Sequence, residues 1–188
     1  MAGRAAVFLD RDGVLNEERS HVRRPEDLVL ISGAVAAVRR LNESDFDVIV
    51  VTNQSIVARG GLSEEELDGV HLHLRQLLEE GGAHLDALYY CPHHPNPGVG
   101  GVAAFAMTCS CRKPAVGMVE RAARERGVDL KRSWMIGDSS SDMEMARRSG
   151  LRAILVRTGH GGRDGRHDAL PDFIVRDLAA AVDLLLTC

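Results

Sequence analysis

The stretch Ala5-Ala6-Val7-Phe8-Leu9-Asp10-Arg11-Asp12-Gly13-Val14 sets five apolar residues directly before two carboxylates two positions apart, with a glycine behind them. A continuous apolar run, as opposed to an alternating one, suits a strand buried on both faces of a parallel sheet. Gly13 lets the backbone turn away where the strand stops. The same grammar recurs along the chain: residues 48–51, 87–90, 134–136 and 153–156 are further strand candidates. Amphipathic stretches separate them at 34–41, 64–80, 116–126 and 142–149, with a last helix near 178–186. Ser63 with Glu66 three residues on reads as a capping box, and Gly127 and Gly150 stand where C-terminal caps belong. Strand and helix therefore alternate, which predicts an α/β fold with a doubly wound, mostly parallel sheet. Residues 16–30, 92–108 and 159–171 read as irregular.

Length and charge narrow the function. The 188 residues fit a single domain, 1–188, large enough to bury a core. A net charge of −4 with both signs interspersed lacks the clustered basic face of a nucleic-acid binder, and Arg23-Arg24 reads as a solvated loop edge. No apolar run reaches the roughly 18 to 20 residues of a membrane span. Met1-Ala2-Gly3-Arg4 leads straight into the first strand without the regions of a signal peptide, so a cytoplasmic protein with no membrane and no nucleic-acid partner is expected. A monomer is expected as well. Cys91, Cys109 and Cys111 gather around one loop while Cys188 stands apart, which in a reducing compartment points to metal binding before disulfides.

In an open parallel sheet the loops leaving the carboxyl ends of the strands build the site. The first candidate strand ends in Asp10 and Asp12. The second ends in Thr52-Asn53-Gln54-Ser55, small polar groups suited to phosphate oxygens and also to helix caps. A later one ends in Gly137-Asp138-Ser139-Ser140-Ser141-Asp142. An isolated Asp-x-Asp is more often a turn than a catalytic pair, but four acids converging on one edge would repel each other without a cation. Hard carboxylate oxygens with positions left for water and a phosphate suit Mg²⁺. Arg112-Lys113-Pro114, just before a predicted helix, supplies the cations that a transferring phosphoryl group needs.

In kind and order, the segments at Asp10, Thr52, Arg112-Lys113 and Asp138 to Asp142 resemble the four signature motifs of the haloacid dehalogenase superfamily of phosphohydrolases. The resemblance implies a Rossmann-like core. It makes Asp10 the nucleophile and Asp12 the general acid and then base; Thr52 and Asn53 would bind phosphate, with Lys113 and Arg112 offsetting its charge. It places Mg²⁺ on a carboxylate oxygen of Asp10, the backbone carbonyl of Asp12 and the carboxylate of Asp138, with Asp142 as an outer acid. Ser139 and Ser140 would face solvent or substrate.

The loop 91–111 carries Cys91-Pro92-His93-His94 and Cys109-Ser110-Cys111 among Pro95, Pro97, Gly98, Gly100 and Gly101. A loop this long needs something to order it, and three thiolates with one imidazole make a closed, structural Zn²⁺ site. Cys91, His93, Cys109 and Cys111 are the expected ligands, with His94 as an alternative to His93. A site there would also fix Arg112 and Lys113. This pattern followed by Arg-Lys-Pro resembles a narrower branch of the superfamily, the D-glycero-D-manno-heptose 1,7-bisphosphate phosphatases and the related histidinol-phosphate phosphatases, neither with a large cap domain. The intervals after Asp12 and between Thr52 and Lys113 have no room for one here. The Ser55 with Ala58-Arg59-Gly60 looks like the heptose branch, whereas Ile56 and Ser20-His21 depart from its usual glycine and glycine-aromatic residues. By the same resemblance Asp10, Arg11, Asp12, Glu18, Arg19, Ser20, His21, Thr52, Asn53, Gln54, Ser55, Arg59, Arg112 and Lys113 contact a small phosphorylated substrate, with Arg59 or Arg112 facing a second anionic group. Two other classes compete: a receiver-like phosphoacceptor, which would need no leaving-group acid at Asp12, and a zinc scaffold with a dead site, which would lack the nucleophile or the cation.

Overall fold

The computed structural model describes residues 3–187, so Cys188 lies outside the described residues. Among the described residues six strands form one sheet: β1 (Ala5–Leu9), β2 (Phe46–Asn53), β3 (Ala87–Cys91), β4 (Trp134–Gly137), β5 (Arg152–Val156) and β6 (Phe173–Val175). Their order is β3-β2-β1-β4-β5-β6, and every neighbouring pair is parallel, so the sheet is wholly rather than mostly parallel. The chain winds outward from β1 to β3, returns to place β4 beside β1, and winds out the other way. The order reverses between β1 and β4, where the strands' carboxyl ends open a crevice.

Among the same residues five α-helices cover the two faces: α1 (Ala34–Asn42), α2 (Glu64–Glu80), α3 (Gly117–Arg126), α4 (Ser140–Ser149) and α5 (Leu178–Leu185). Strand side chains alternate between faces, so Val7 and Leu9 of β1 pack with α1, α2 and α5, while Ala6 and Phe8 pack with α3 and α4. Because both faces are buried, β1 shows no polar alternation at all. The expected caps form. Glu66 N donates to Ser63 Oγ at 3.1 Å and Ser63 N to Glu66 Oε2 at 2.7 Å, while α3 and α4 end on left-handed Gly127 and Gly150.

Three differences from the sequence reading have physical causes. β2 extends two residues beyond the expected strand at each end, because Asp47 is buried against Arg126, whose Nη2 lies 2.9 Å away, and Thr52 and Asn53 continue the ladder beside β3. β6 falls inside no expected element; it is a three-residue edge strand with Ile174 half exposed, too short for a periodic signal. α4 starts at Ser140, two residues early, because Asp142 caps it from within. Residues 16–30 carry a 3-10 turn at Pro25–Asp27 and an isolated antiparallel bridge between Asn16 and Leu30, and residues 92–108 a 3-10 turn at Ala103–Phe105. Among the described residues no helix is long and apolar enough to cross a membrane.

Candidate active site

Asp10 and Asp12 leave the end of β1 on the crevice floor. The Arg11 backbone N–H donates to Asp10 Oδ1 at 2.7 Å, and Lys113 Nζ reaches Asp10 Oδ2 at 2.8 Å. Burial pushes the Asp10 carboxyl up to about 7 against the pull of Lys113, with Asp142 and Asp12 adding repulsion. Asp12 behaves oppositely. Its burial would raise it, but Arg11, Asn16 and Gln54 together hold it below the usual carboxylate range. Arg11 Nη2 donates to both Asp12 oxygens, at 2.8 and 2.9 Å, Asn16 Nδ2 donates at 2.9 Å and Gln54 Nε2 at 2.7 Å. Two neighbouring carboxylates thus sit in environments that drive their proton affinities apart.

Lys113 is buried, and its Nζ bridges Asp10, Asp142 Oδ1 at 2.6 Å and the Val51 carbonyl at 3.0 Å. Burial works against its charge, but Asp10 and Asp142 more than restore it. Its backbone is clamped by Asn53, whose Oδ1 accepts from Lys113 N at 3.0 Å and whose Nδ2 donates to Lys113 O at 3.2 Å. Thr52 Oγ1 accepts from Gln54 Nε2 at 3.0 Å, tying the end of β2 to Asp12 through one amide.

Carboxylate oxygens of Asp10, Asp138 and Asp142 lie within 4.8 Å of one another, all three buried. Burial pushes Asp138 up to about 8, and Asp10 and Asp142 reinforce the shift. Crowding of this kind fits a divalent cation on hard oxygen ligands. Asp142 is already engaged: its Oδ2 accepts from Ser139 N and Oγ at 3.1 and 2.7 Å, and its other oxygen pairs with Lys113. Asp10 is likewise held on both oxygens, by the Arg11 N–H and Lys113, so among the described residues Asp138, whose Oδ2 accepts from His160 N at 2.6 Å, is the one of the three with an oxygen, Oδ1, that no hydrogen bond or ion pair engages. Gly13 (φ +77°) and Gly159 (φ +57°) both pack against the Asp138 carboxylate, in a backbone conformation and a space that admit no side chain.

A cavity of about 370 Å³ opens above these groups. Of the expected substrate-contacting residues, Asp10, Asp12, Glu18, Ser20, His21, Thr52, Asn53, Gln54, Ser55, Arg59, Arg112 and Lys113 line it. Arg11 and Arg19 do not. The Arg11 side chain lies fully buried beneath Asp12, offering the floor only its backbone N–H, and Arg19 turns outward onto Glu17 at 2.7 Å. Ile56 also lies off the cavity, in a small apolar cluster with Val57 and Leu67. Ser20 has φ +63°, a conformation glycine adopts without strain, which accounts for the branch's usual residue at that position. His94, Ser141, His160 and Arg166 line the cavity unforeseen as substrate contacts. The last two come from residues 157–171, a segment with no motif to mark it.

At the end of β3, Cys91 Sγ lies 3.5 Å from Cys109 Sγ and 3.7 Å from His93 Nδ1, Cys111 Sγ lies 3.2 Å from Cys109 Sγ, and His93 Nδ1 is 3.3 Å from Cys111 Sγ. A tetrahedron of ligands about 2.0 to 2.3 Å from a common centre has edges of about 3.3 to 3.8 Å, so the donor set fits Zn²⁺ in kind and in size. His94 faces the cavity instead, with Nε2 3.4 Å from Arg59, so of the two histidines His93 is the one beside the thiols. Arg112 Nη1 donates to the His93 carbonyl at 3.1 Å, joining the cluster to the cavity wall.

Known proteins resemble this chain in sequence and fold. A family model described as HAD-hydrolase-like matches residues 110–181. A D-glycero-D-manno-heptose-1,7-bisphosphate 7-phosphatase of Thermosynechococcus vestitus is 46% identical, over 98% of this chain and 96% of its own. A D-glycero-beta-D-manno-heptose-1,7-bisphosphate 7-phosphatase of Yersinia pestis is 38% identical over 93% and 91%. The crystal structure of the D,D-heptose 1,7-bisphosphate phosphatase from B. bronchiseptica, complexed with magnesium and phosphate, superposes with a TM-score of 0.83 at 34% identity, covering 97% of this chain and 98% of that one. With its acid pair at the switch point and likeness along nearly its whole length, the chain belongs to the haloacid dehalogenase-like hydrolases, in the family of the heptose-1,7-bisphosphate 7-phosphatases.

Proposed function

We propose that this chain is a cytoplasmic phosphatase that removes the 7-phosphate of D-glycero-D-manno-heptose 1,7-bisphosphate, with the phosphoryl group passing through Asp10. The observation that carries the mechanism is the double hold on the Asp10 carboxylate, one oxygen on Lys113 Nζ and the other on the Arg11 N–H, which directs it at the crevice floor. In the first step an Asp10 oxygen attacks phosphorus, the bond to the sugar oxygen breaks, and Asp12 gives that oxygen a proton. In the second, Asp12 takes a proton from a water whose oxygen attacks the same phosphorus, releasing phosphate and restoring Asp10. The hold of Arg11 keeps Asp12 ionised in the free protein, the state the second step needs. An arriving phosphate dianion raises its proton affinity toward the state the first step needs.

Thr52 and the backbone around Asn53 receive the phosphoryl oxygens, and Lys113 with Arg112 offsets their charge. Mg²⁺ would be held by the Asp10 carboxylate, the Asp12 carbonyl and the Asp138 carboxylate, where it supplies the counter-charge that phosphoryl oxygens and crowded acids both require. Structural Zn²⁺ on Cys91, His93, Cys109 and Cys111 would keep Arg112 in place through the His93 carbonyl. Glu18, Ser20 and His21 form the wall toward the sugar, and Arg59 and Arg112 face its other phosphate.

The test compares kcat/KM for both anomers of the heptose bisphosphate with that for histidinol phosphate. The heptose compound is expected to win. A tenfold preference for histidinol phosphate, about 1.4 kcal/mol in transition-state binding, overturns the substrate assignment and leaves the phosphoryl-transfer chemistry standing.

A further inference from the structure

We propose that Arg166, on the loop between β5 and β6, is a specificity-determining residue that binds the phosphate of a bisphosphorylated sugar that is not cleaved. The proposal rests on reading the protein as a sugar bisphosphate phosphatase, and adds to that reading a residue from a segment outside the four motifs and the zinc loop.

The cavity has two charged poles. At the floor, the one lysine is engaged by Asp10 and Asp142. Arg59, Arg112 and Arg166 line the same cavity with His94, whose Nε2 lies 3.4 Å from Arg59 Nη2. Among the described residues neither Arg59 nor Arg112 has a carboxylate within ion-pair distance: Arg59 Nη1 donates to the Pro97 carbonyl at 3.1 Å and Arg112 Nη1 to the His93 carbonyl at 3.1 Å. Arg166 has only a loose partner, with its Nε 4.0 Å from Asp164 Oδ2. Three guanidinium groups without close acids make a concentration of positive charge that a dianion would relieve. A guanidinium fork suits phosphate better than a point charge does.

The loop that carries Arg166 is fastened to the catalytic strand ends. Thr158 Oγ1 donates to the Gly13 carbonyl at 2.6 Å, and His160 N donates to Asp138 Oδ2 at 2.6 Å. Gly162 N donates to the Asp138 carbonyl at 2.7 Å. Closer to Arg166, Asp164 accepts from Ser140 N and Oγ at 2.8 and 2.7 Å, and His167 N donates to Ser140 Oγ at 3.1 Å. Anchors two residues before and one residue after Arg166 hold its backbone, while its side chain remains 62% exposed and able to fold over a ligand at the mouth.

The experiment measures kcat/KM for Arg166→Ala and Arg166→Lys on one sugar with and without its second phosphate: heptose 1,7-bisphosphate against heptose 7-phosphate, and fructose 1,6-bisphosphate against fructose 6-phosphate. Arg166→Ala is expected to lower the bisphosphate-to-monophosphate ratio by roughly tenfold or more, through KM more than kcat, and to flatten the dependence of the bisphosphate KM on salt. Arg166→Lys should recover part of both. An unchanged ratio, or an equal loss on both members of a pair, overturns the role of Arg166. A wild-type protein that cleaves the fructose pair and not the heptose pair overturns the heptose assignment alone, since the ratio is still read on fructose. A wild-type protein that cleaves no bisphosphate overturns both.

Discussion

At the scale of single residues, Asp12 does two jobs that different substitutions separate. Its carboxylate is the proposed proton donor and acceptor, and it is also the partner of the buried Arg11, whose Nη1 has no hydrogen-bond partner of its own among the described residues. Asp12→Asn keeps an acceptor for Arg11 and is expected to cut kcat by roughly 10²-fold or more with a modest loss of stability. Asp12→Ala leaves the guanidinium buried and unpaired and should cost a further 2 to 3 kcal/mol or about that in denaturant unfolding. Equal stability of the two variants would remove the structural half of this account. Asp10→Asn should reduce turnover to below about one per cent while the protein still folds, and turnover above that level would rule out a nucleophilic Asp10.

His71, on α2, is buried, and among the described residues neither of its ring nitrogens has a hydrogen-bond partner. Burial is the main cause that pushes it down to about 3. The folded protein therefore keeps His71 neutral while the unfolded chain takes up a proton near its ordinary value of 6.5. Stability from this site is present above that pH and is lost as pH falls toward 3, by about 2 kcal/mol at pH 5. His71→Leu, which removes two unsatisfied polar atoms, should be near neutral at pH 7.5 and should abolish that part of the acid sensitivity. Parallel losses of stability from pH 7.5 to 5 in wild type and variant would contradict it.

At the scale of elements, the loop 91–111 is the segment whose order depends most on something other than apolar burial. It holds Val99 and Val102 exposed, and its fixed points are the cysteine-histidine cluster and a few backbone bonds to the turn after β2, such as Ala58 N to Pro92 O at 3.1 Å. Protein prepared without added metal is expected to contain about one zinc per chain by elemental analysis. Chelation should raise proteolysis in this loop and lower activity by loosening Arg112, with the central sheet intact by circular dichroism. An absence of tightly bound zinc, or a Cys91 to Cys109 disulfide in its place, would sink the assignment. The loop after β5 differs in kind, being tied by hydrogen bonds to Asp138 and Ser140.

At the scale of the whole molecule, the sheet brings three buried acids within 4.8 Å and carries the resulting repulsion in its stability. A cation that binds only the folded chain stabilises it by mass action, about 2.7 kcal/mol at a hundred times its dissociation constant. For a chain of this size that is roughly 5 to 10 °C in Tm. Mg²⁺ is expected to produce such a shift and to be required for turnover. Asp138→Asn should raise the Tm of the metal-free protein and lose most of the Mg²⁺ response. A full Mg²⁺ shift in that variant would place the cation elsewhere.

The wholly buried strands, the helix caps and the order of the polar strand ends were legible from local pattern, because a strand covered on both faces leaves an unbroken apolar run and chemistry in this fold follows directly after it. The C-x-H spacing favoured His93 in the sequence and kept His94 as an alternative; the backbone after β3 sends the first ring to the sulfurs and the second to the cavity. Arg11 beside Asp10 had every local mark of a substrate contact, yet the turn at the end of β1 buries it beneath Asp12. Arg166 and His160 had no local mark at all. They reach the cavity because β5 lies beside β4 and the loop following it closes on Asp138, a meeting of residues 22 and 24 positions apart in the chain that no periodicity encodes and that the parallel sheet imposes.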